Sequence, residues 1–163
     1  MMKNNILGLS LAVVFVGLVG FMIFSLEPIK SSEKDSLGVS GVVATMYKSP
    51  SCGCCGVYAS YIKREGYGVK IEDVENMGLV KKKLGVPSEL ESCHTMEISG
   101  YVIEGHMPEE AIQKLLVENP NIKGIGLAGM PAGSPGMPGP KTSDFVIYEI
   151  THEGSRGDVF MVI

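Results

Sequence analysis

Hydrophobic positions along the chain fall into two regimes. Residues 6–26 are 21 consecutive uncharged positions, broken by nothing more polar than Ser10 and Ser25. At about 1.5 Å per residue such a helix reaches roughly 31 Å, enough to cross a hydrocarbon core of about 30 Å. The run exceeds the roughly 7–15 apolar residues of a secretory signal, and residues 24–27 offer no small-x-small cleavage site. The reading is therefore one N-terminal transmembrane helix acting as an uncleaved anchor, with a cleaved signal as the alternative. Lys3 and the α-amino group precede the span, which keeps residues 1–5 in the cytoplasm and exports the rest. The following domain is expected on the periplasmic or extracellular side, tethered to the membrane, or else released to the periplasm after cleavage.

Residues 27–37 hold Pro28, Ser31, Ser32, Glu33, Lys34, Asp35 and Ser36, and such a stretch reads as a polar linker with nothing to bury. Beyond it, residues 38–163 alternate between strand and helix periods. A continuous apolar run at 42–47 is of strand type and ends at Ser49 and Pro50. Residues 55–64 place Tyr58, Tyr61 and Ile62 on one helical face, with Lys63 and Arg64 in the last turn and Gly66 as the stop. Val69 and Ile71 alternate with Lys70 and Glu72, as in a half-buried strand. A short helix at 79–84 ends at Gly85, and its lysine run, Lys81, Lys82 and Lys83, reads as a solvated face.

Two strands at 95–98 and 100–105 meet in a tight connection at Ser99 and Gly100. Pro108 then opens a helix with Glu109 and Glu110 in its first turn and a buried stripe of Ala111, Ile112, Leu115 and Leu116. Residues 124–140 hold six Gly and four Pro in 17 positions, a functional or flexible loop rather than a simple connector. Strands at 145–150 and 159–163, separated by His152, Gly154 and Gly157, form a hairpin able to extend the sheet. The order of the first seven elements, strand, helix, strand, helix, strand, strand, helix, is that of a thioredoxin or glutaredoxin-like core. The fold class is α/β, a mixed sheet with flanking helices.

Charge narrows the field of partners. The chain of 163 residues carries 14 Lys+Arg against 18 Asp+Glu, a net charge of −4, and no basic cluster beyond the lysine run. A nucleic-acid partner would need a clustered positive face, so none is expected.

The chemistry concentrates at residues 51–56, Ser-Cys-Gly-Cys-Cys-Gly. Cys52 and Cys55 form a C-x-x-C pair after a strand and at a helix start, where the helix N-terminus favours a thiolate. Such a pair points to redox or metal chemistry over a buried structural thiol. Cys54 gives any Cys52–Cys55 disulfide an internal competitor, awkward for two-thiol exchange and useful for holding a soft metal. Adjacent Cys54 and Cys55 point in different directions, so bridging thiolates or more than one ion fit better than a single tetrahedral ion.

The fourth cysteine, Cys93, precedes His94 and the strand at 95–98. In a glutaredoxin-like order that segment lies beside the first loop, so all four cysteines converge. Thioredoxins carry a cis-proline there, and no proline lies between Pro87 and Pro108. Met96, Met107, Met130 and Met137, with His94 and His106, add the thioether and imidazole ligands that accompany thiolates in Cu(I) chemistry. Core packing competes for the methionines, Met96 above all. His106 has capping of the next helix as its alternative role, and His152 is expected to be exposed.

Residues 49–55, Ser-Pro-Ser-Cys-Gly-Cys-Cys, then Ser92-Cys93-His94-Thr95, the stretch 100–108 with His106, and the Gly/Met/Pro run at 129–137 resemble the CopG-like bacterial domain-of-unknown-function family tied to copper resistance. The resemblance spans residues 41–140. It implies an exported, thioredoxin-like copper-binding protein with Cys52, Cys54, Cys55 and Cys93 as thiolate ligands and redox handling of copper as an added possibility. Copper-transport or copper-chaperone proteins are the implied partners. Two alternatives stay open beside Cu(I) binding: a thiol-disulfide oxidoreductase in which Cys52 attacks and Cys55 resolves, and a structural zinc site.

Overall fold

The computed structural model describes residues 41–163. The expected anchor at 6–26, the residues before it and the linker at 27–37 lie outside the described residues. Among the described residues, no helix is long and apolar enough to cross a membrane.

Within residues 41–163 each predicted strand and helix is present, with shifted ends. The order is β1 (Val43–Lys48), α1 (Gly53–Arg64), β2 (Gly68–Asp73), α2 (Met77–Leu84), a 3-10 turn (Ser88–Leu90), β3 (His94–Ile98), β4 (Tyr101–Glu104), α3 (Glu109–Glu118), β5 (Gly124–Gly126), β6 (Val146–Ile150) and β7 (Arg156–Val162). The strands form one mixed sheet in the order β2-β1-β3-β4-β5-β6-β7. β1 runs parallel to β2 and β4 parallel to β5, and the remaining neighbours are antiparallel. The C-terminal hairpin does extend the sheet, with β7 starting three residues earlier than its apolar run.

Helix ends follow local chemistry. α1 begins at Gly53, two residues before the expected start, so Cys52 is its N-cap and Cys54 and Cys55 sit in its first turn. α2 begins at Met77 because the Asn76 side chain accepts a hydrogen bond from the Leu79 N–H at 3.1 Å, the usual asparagine capping contact. Ser99 and Gly100 both adopt positive φ, 49° and 87°, as a two-residue hairpin turn requires.

One expected loop is partly a strand. β5 opens the Gly/Pro-rich stretch, and its glycines hide it from an apolar-period reading. Gly124 faces the backbone of Val102 so closely that a Cβ would fall 1.9 Å from the Val102 carbonyl oxygen. Only glycine lets β5 pair there.

Side chains on successive positions of β3 and β4 face opposite sides of the sheet. Met96, Ile98, Tyr101 and Ile103 join the larger core with Tyr58 and Ile62 of α1 and Ile112 and Leu115 of α3. Val102 joins Val86, Leu90 and Ile150 in a smaller core on the other face. Full burial of one large aliphatic side chain contributes about 1.5–3 kcal/mol, so this packing, not the cysteines, carries the fold.

Candidate metal centre

β1 delivers the chain to a turn in which the Cys52 N–H donates to the Ser49 carbonyl at 3.0 Å. α1 starts immediately afterwards and fixes three cysteines within four residues. Cys52 and Cys55 are joined as a disulfide, and Cys54 and Cys93 are free thiols. The Cys54 sulfur lies 3.6 Å from that of Cys52 and 3.9 Å from that of Cys93, and Cys93 lies 3.6 Å from Cys55. All four sulfurs fall within 4.8 Å of one another. The expected convergence of Cys93 on the first loop is therefore present.

Two histidines close on the same sulfur. Cys93 Sγ is 3.2 Å from His94 Nδ1 and 3.0 Å from His106 Nε2, and these three residues form a second group able to hold a metal ion. His106 Nδ1 donates to the Pro135 carbonyl at 2.6 Å. A carbonyl only accepts, so the proton sits on Nδ1 and the Nε2 lone pair faces Cys93. This contact assigns His106 to the centre, while Pro108 is the N-cap of α3.

The electrostatics keep both imidazoles neutral. Burial pulls His94 down to about 3 from its ordinary 6.5, with His106 and Lys81 adding to the effect. Burial also lowers His106, against the Pro135 hydrogen bond. His94 Nε2 is buried with no hydrogen-bond partner. It is the ring nitrogen away from Cys93, which His94 faces through Nδ1. Burial pushes the Cys93 thiol up to about 12, and the neighbouring Cys54 adds to it.

Tyr58, which the periodicity places only in the core, also shapes the centre. Its ring lies 4.5 Å from that of His94 and 5.3 Å from that of His106, with the two imidazoles 4.9 Å apart. Its hydroxyl donates to the Met107 carbonyl at 2.9 Å, so the ring is held on both sides.

The Gly/Pro stretch is tied over this centre. Ser92 Oγ donates to the Gly129 carbonyl, the Gly129 N–H to the Glu91 carbonyl at 3.3 Å, and His106 to Pro135. Gly136 packs against the Tyr58 backbone, where a Cβ would meet the amide nitrogen at 2.9 Å. Met130 on this segment is 52% exposed and Met137 is half-buried. Met96 and Met107 instead lie fully buried in the larger core, as methionine packing dictates. His152 is exposed and pairs with Asn121 at 3.2 Å.

The expectation for the lysine run needs correction at one position. Lys81 is buried, paired with the fully buried carboxylate of Glu104. A cation leaves water when an anion and hydrogen-bond acceptors meet it inside, and Glu104 supplies the anion. A lone acid ending the otherwise apolar strand 101–104 was the sequence signal for that partner.

The sulfur geometry also bears on attack by Cys93 on the disulfide. With an S–S bond of about 2.05 Å, a thiol 3.6 Å from Cys55 and in line with the bond would stand roughly 5.6 Å from Cys52. Cys93 is 3.6 Å from Cys55 and no more than 4.8 Å from Cys52. It sits beside the bond, off the line along which a thiolate displaces a sulfur.

A family model described as "Protein of unknown function, DUF411" matches residues 90–137. Two solved structures titled "Copper resistance protein copG", Form 2 and Form 1, are 32% identical to the chain. Each covers 75% of this chain; the match takes in 98% of the Form 2 chain with a TM-score of 0.69 and 97% of the Form 1 chain with a TM-score of 0.68. Among curated proteins there is no match.

Proposed function

Since the chain belongs to the CopG-like copper-resistance family, we propose that it binds copper as Cu(I) on Cys52, Cys54, Cys55 and Cys93 and contributes to copper resistance. The observation that carries this reading is the packing of four cysteine sulfurs within 4.8 Å of one another. Thiolates select Cu(I) over harder ions. His94 and His106, held neutral beside Cys93, extend the donor set. Met130 is the exposed thioether of the overlying segment and Met137 its half-buried companion, suited to passing Cu(I) between solvent and the sulfurs.

The Cys52–Cys55 disulfide withdraws two sulfurs from binding. Reduction of Cys52–Cys55 supplies two more thiolates, so copper capacity follows the redox state of the pair. We read β2-β1-β3-β4 with its helices as a thioredoxin-like core, and the C-x-x-C disulfide on it favours thiol-disulfide exchange as the second reading. Residues 6–26 anchor the domain outside the cytoplasm in this proposal; a soluble, shortened periplasmic form on fractionation would replace the anchor with a cleaved signal.

The deciding experiment is copper and zinc content per chain after anaerobic purification, for the wild type and for a variant with all four cysteines changed to Ser. The wild type retains copper and the variant loses it while staying folded. Equal copper in both overturns the site, zinc in place of copper selects the structural-zinc alternative, and rapid turnover on protein disulfides that survives copper saturation selects the oxidoreductase.

A further inference from the structure

The buried pair of Lys81 and Glu104 lies on the sheet face opposite the histidines, because Glu104 shares its side of β4 with Val102 of the smaller core. Both oxygens of the Glu104 carboxylate are used. Oε1 accepts from Lys81 Nζ and, at 2.6 Å, from the Ser92 N–H; Oε2 accepts from Thr95 Oγ1 at 2.5 Å. Lys81 Nζ also donates to Thr95 Oγ1 at 3.1 Å. Ser92 and Thr95 are the residues on either side of Cys93 and His94.

Strand pairing alone does not hold this stretch. Thr95 opposite Glu104 is the last register pair between β3 and β4, followed by a single Gly105 N–H to His94 carbonyl bond at 3.1 Å. Ser92 lies beyond the ladder, and its amide finds the carboxylate instead. A buried ion pair is a poor source of net stability, since apolar replacements are often as stable or more so. Its geometry is more informative than its energy: one carboxylate, fixed by one ammonium, grips the backbone before Cys93 and the side chain after His94.

We propose that Glu104, oriented by Lys81, is a positioning residue of the metal centre, clamping Ser92 and Thr95 so that Cys93 Sγ and the His94 ring converge on Cys54, Cys55 and His106. The inference rests on the reading of that cluster as a copper site. Partners bonded directly to a ligand typically affect metal affinity by about 10–100-fold, and Glu104, acting one residue further out, is expected at the lower end of that range.

The test uses the full chain, reduced, in three variants: Lys81→Met with Glu104→Leu, Lys81→Met with Glu104→Gln, and Thr95→Val. The urea midpoint reports the fold, amide exchange at Ser92 reports the clamp without metal, and competition with a chromophoric chelator reports Cu(I) affinity. The Met/Leu variant stays folded, with a midpoint lowered by no more than the loss of its two hydrogen bonds, exchanges the Ser92 amide about tenfold faster and binds Cu(I) about tenfold more weakly. The Met/Gln variant, whose side-chain oxygen still accepts from Ser92, returns both values to within about threefold of wild type. Wild-type exchange and affinity in a folded Met/Leu variant overturn the proposal, as does absence of rescue by Gln. Should the Met/Leu variant not fold, Thr95→Val decides: weaker Cu(I) binding by a folded chain supports the clamp, and unchanged affinity overturns it. A wild type that binds no Cu(I) refutes the copper reading, while the Ser92 exchange contrast still tests the clamp.

Discussion

His106 and Pro135 are joined by a 2.6 Å hydrogen bond from Nδ1–H to the backbone carbonyl, and the opposite ring nitrogen stands 3.0 Å from Cys93 Sγ. A loop 29 residues downstream thus sets the tautomer that points a lone pair at the thiol. Carbonyl partners of ligating histidines fix ring orientation in this way and are worth about 10–100-fold in metal affinity.

Gly136→Ala tests that linkage from a distance. The residue has φ +81° and its Cβ would meet the Tyr58 amide nitrogen at 2.9 Å, so the loop must shift. The expected cost is about 1–3 kcal/mol in stability, read from the urea midpoint, together with weaker Cu(I) binding because Pro135 moves with it. An unchanged affinity would separate the loop from the centre.

Cys93→Ser should reduce Cu(I) affinity more than any other single cysteine change, because Cys93 alone belongs to both the sulfur group and the Cys93/His94/His106 group. The loss should exceed the about 10–100-fold expected for an outer-shell partner, measured by chelator competition on reduced protein. A smaller effect than that of Cys54→Ser would move the centre toward α1.

Thiol titration should follow the disulfide. Two thiols per chain react in denatured, unreduced protein, matching free Cys54 and Cys93, and four react after reduction. Copper bound per chain should rise on reduction in parallel. Equal copper capacity in both states would exclude Cys52 and Cys55 as ligands.

Acid should destabilise the metal-free protein through His94. Its folded value of about 3 lies below the ordinary 6.5, so the unfolded chain binds the extra proton between those limits and stability falls as pH drops through that window. The contribution is fully present above about 6.5 and is of order 5 kcal/mol. Urea midpoints at pH 7 and pH 4 should differ less for His94→Leu than for the wild type. Burial raises the Glu104 carboxyl, which gives the opposite slope, so the difference between the two proteins isolates the histidine.

Cys93 titrates in the other direction. Its thiol, pushed up to about 12, stays protonated at pH 8, so alkylation of Cys93 in the metal-free oxidised protein should be slow and should rise about tenfold per pH unit with no plateau near pH 9. Fast labelling at pH 8 would contradict its burial.

Local patterns in the sequence determined much of this architecture. Strand and helix periods placed β1, α1, β3, β4 and α3, because each has an apolar face that must be buried whatever lies opposite. The same patterns placed Cys52, Cys54 and Cys55 at a strand-to-helix turn, since spacing along one short segment survives folding unchanged. Cys93 entered through the order of elements, and its 3.6 Å approach to Cys55 bears that order out. β5 escaped because close approach to Val102 requires glycines that carry no hydrophobic period.

Tertiary structure alone decided the rest. Lys81 reads as one more solvated lysine until the fold sets it against Glu104, 23 positions away. Tyr58 shows only an apolar helical period, although its ring packs against both imidazoles. Pro135 has no side-chain chemistry, and its role belongs to a carbonyl whose direction only the folded loop defines. Met96 and Met107 had the same thioether as Met130, and burial in the larger core separated them from it. Residue type fixes what a group is able to donate or accept; which partner it meets is set by contacts distant in sequence, and those exist only once the sheet has brought its strands together.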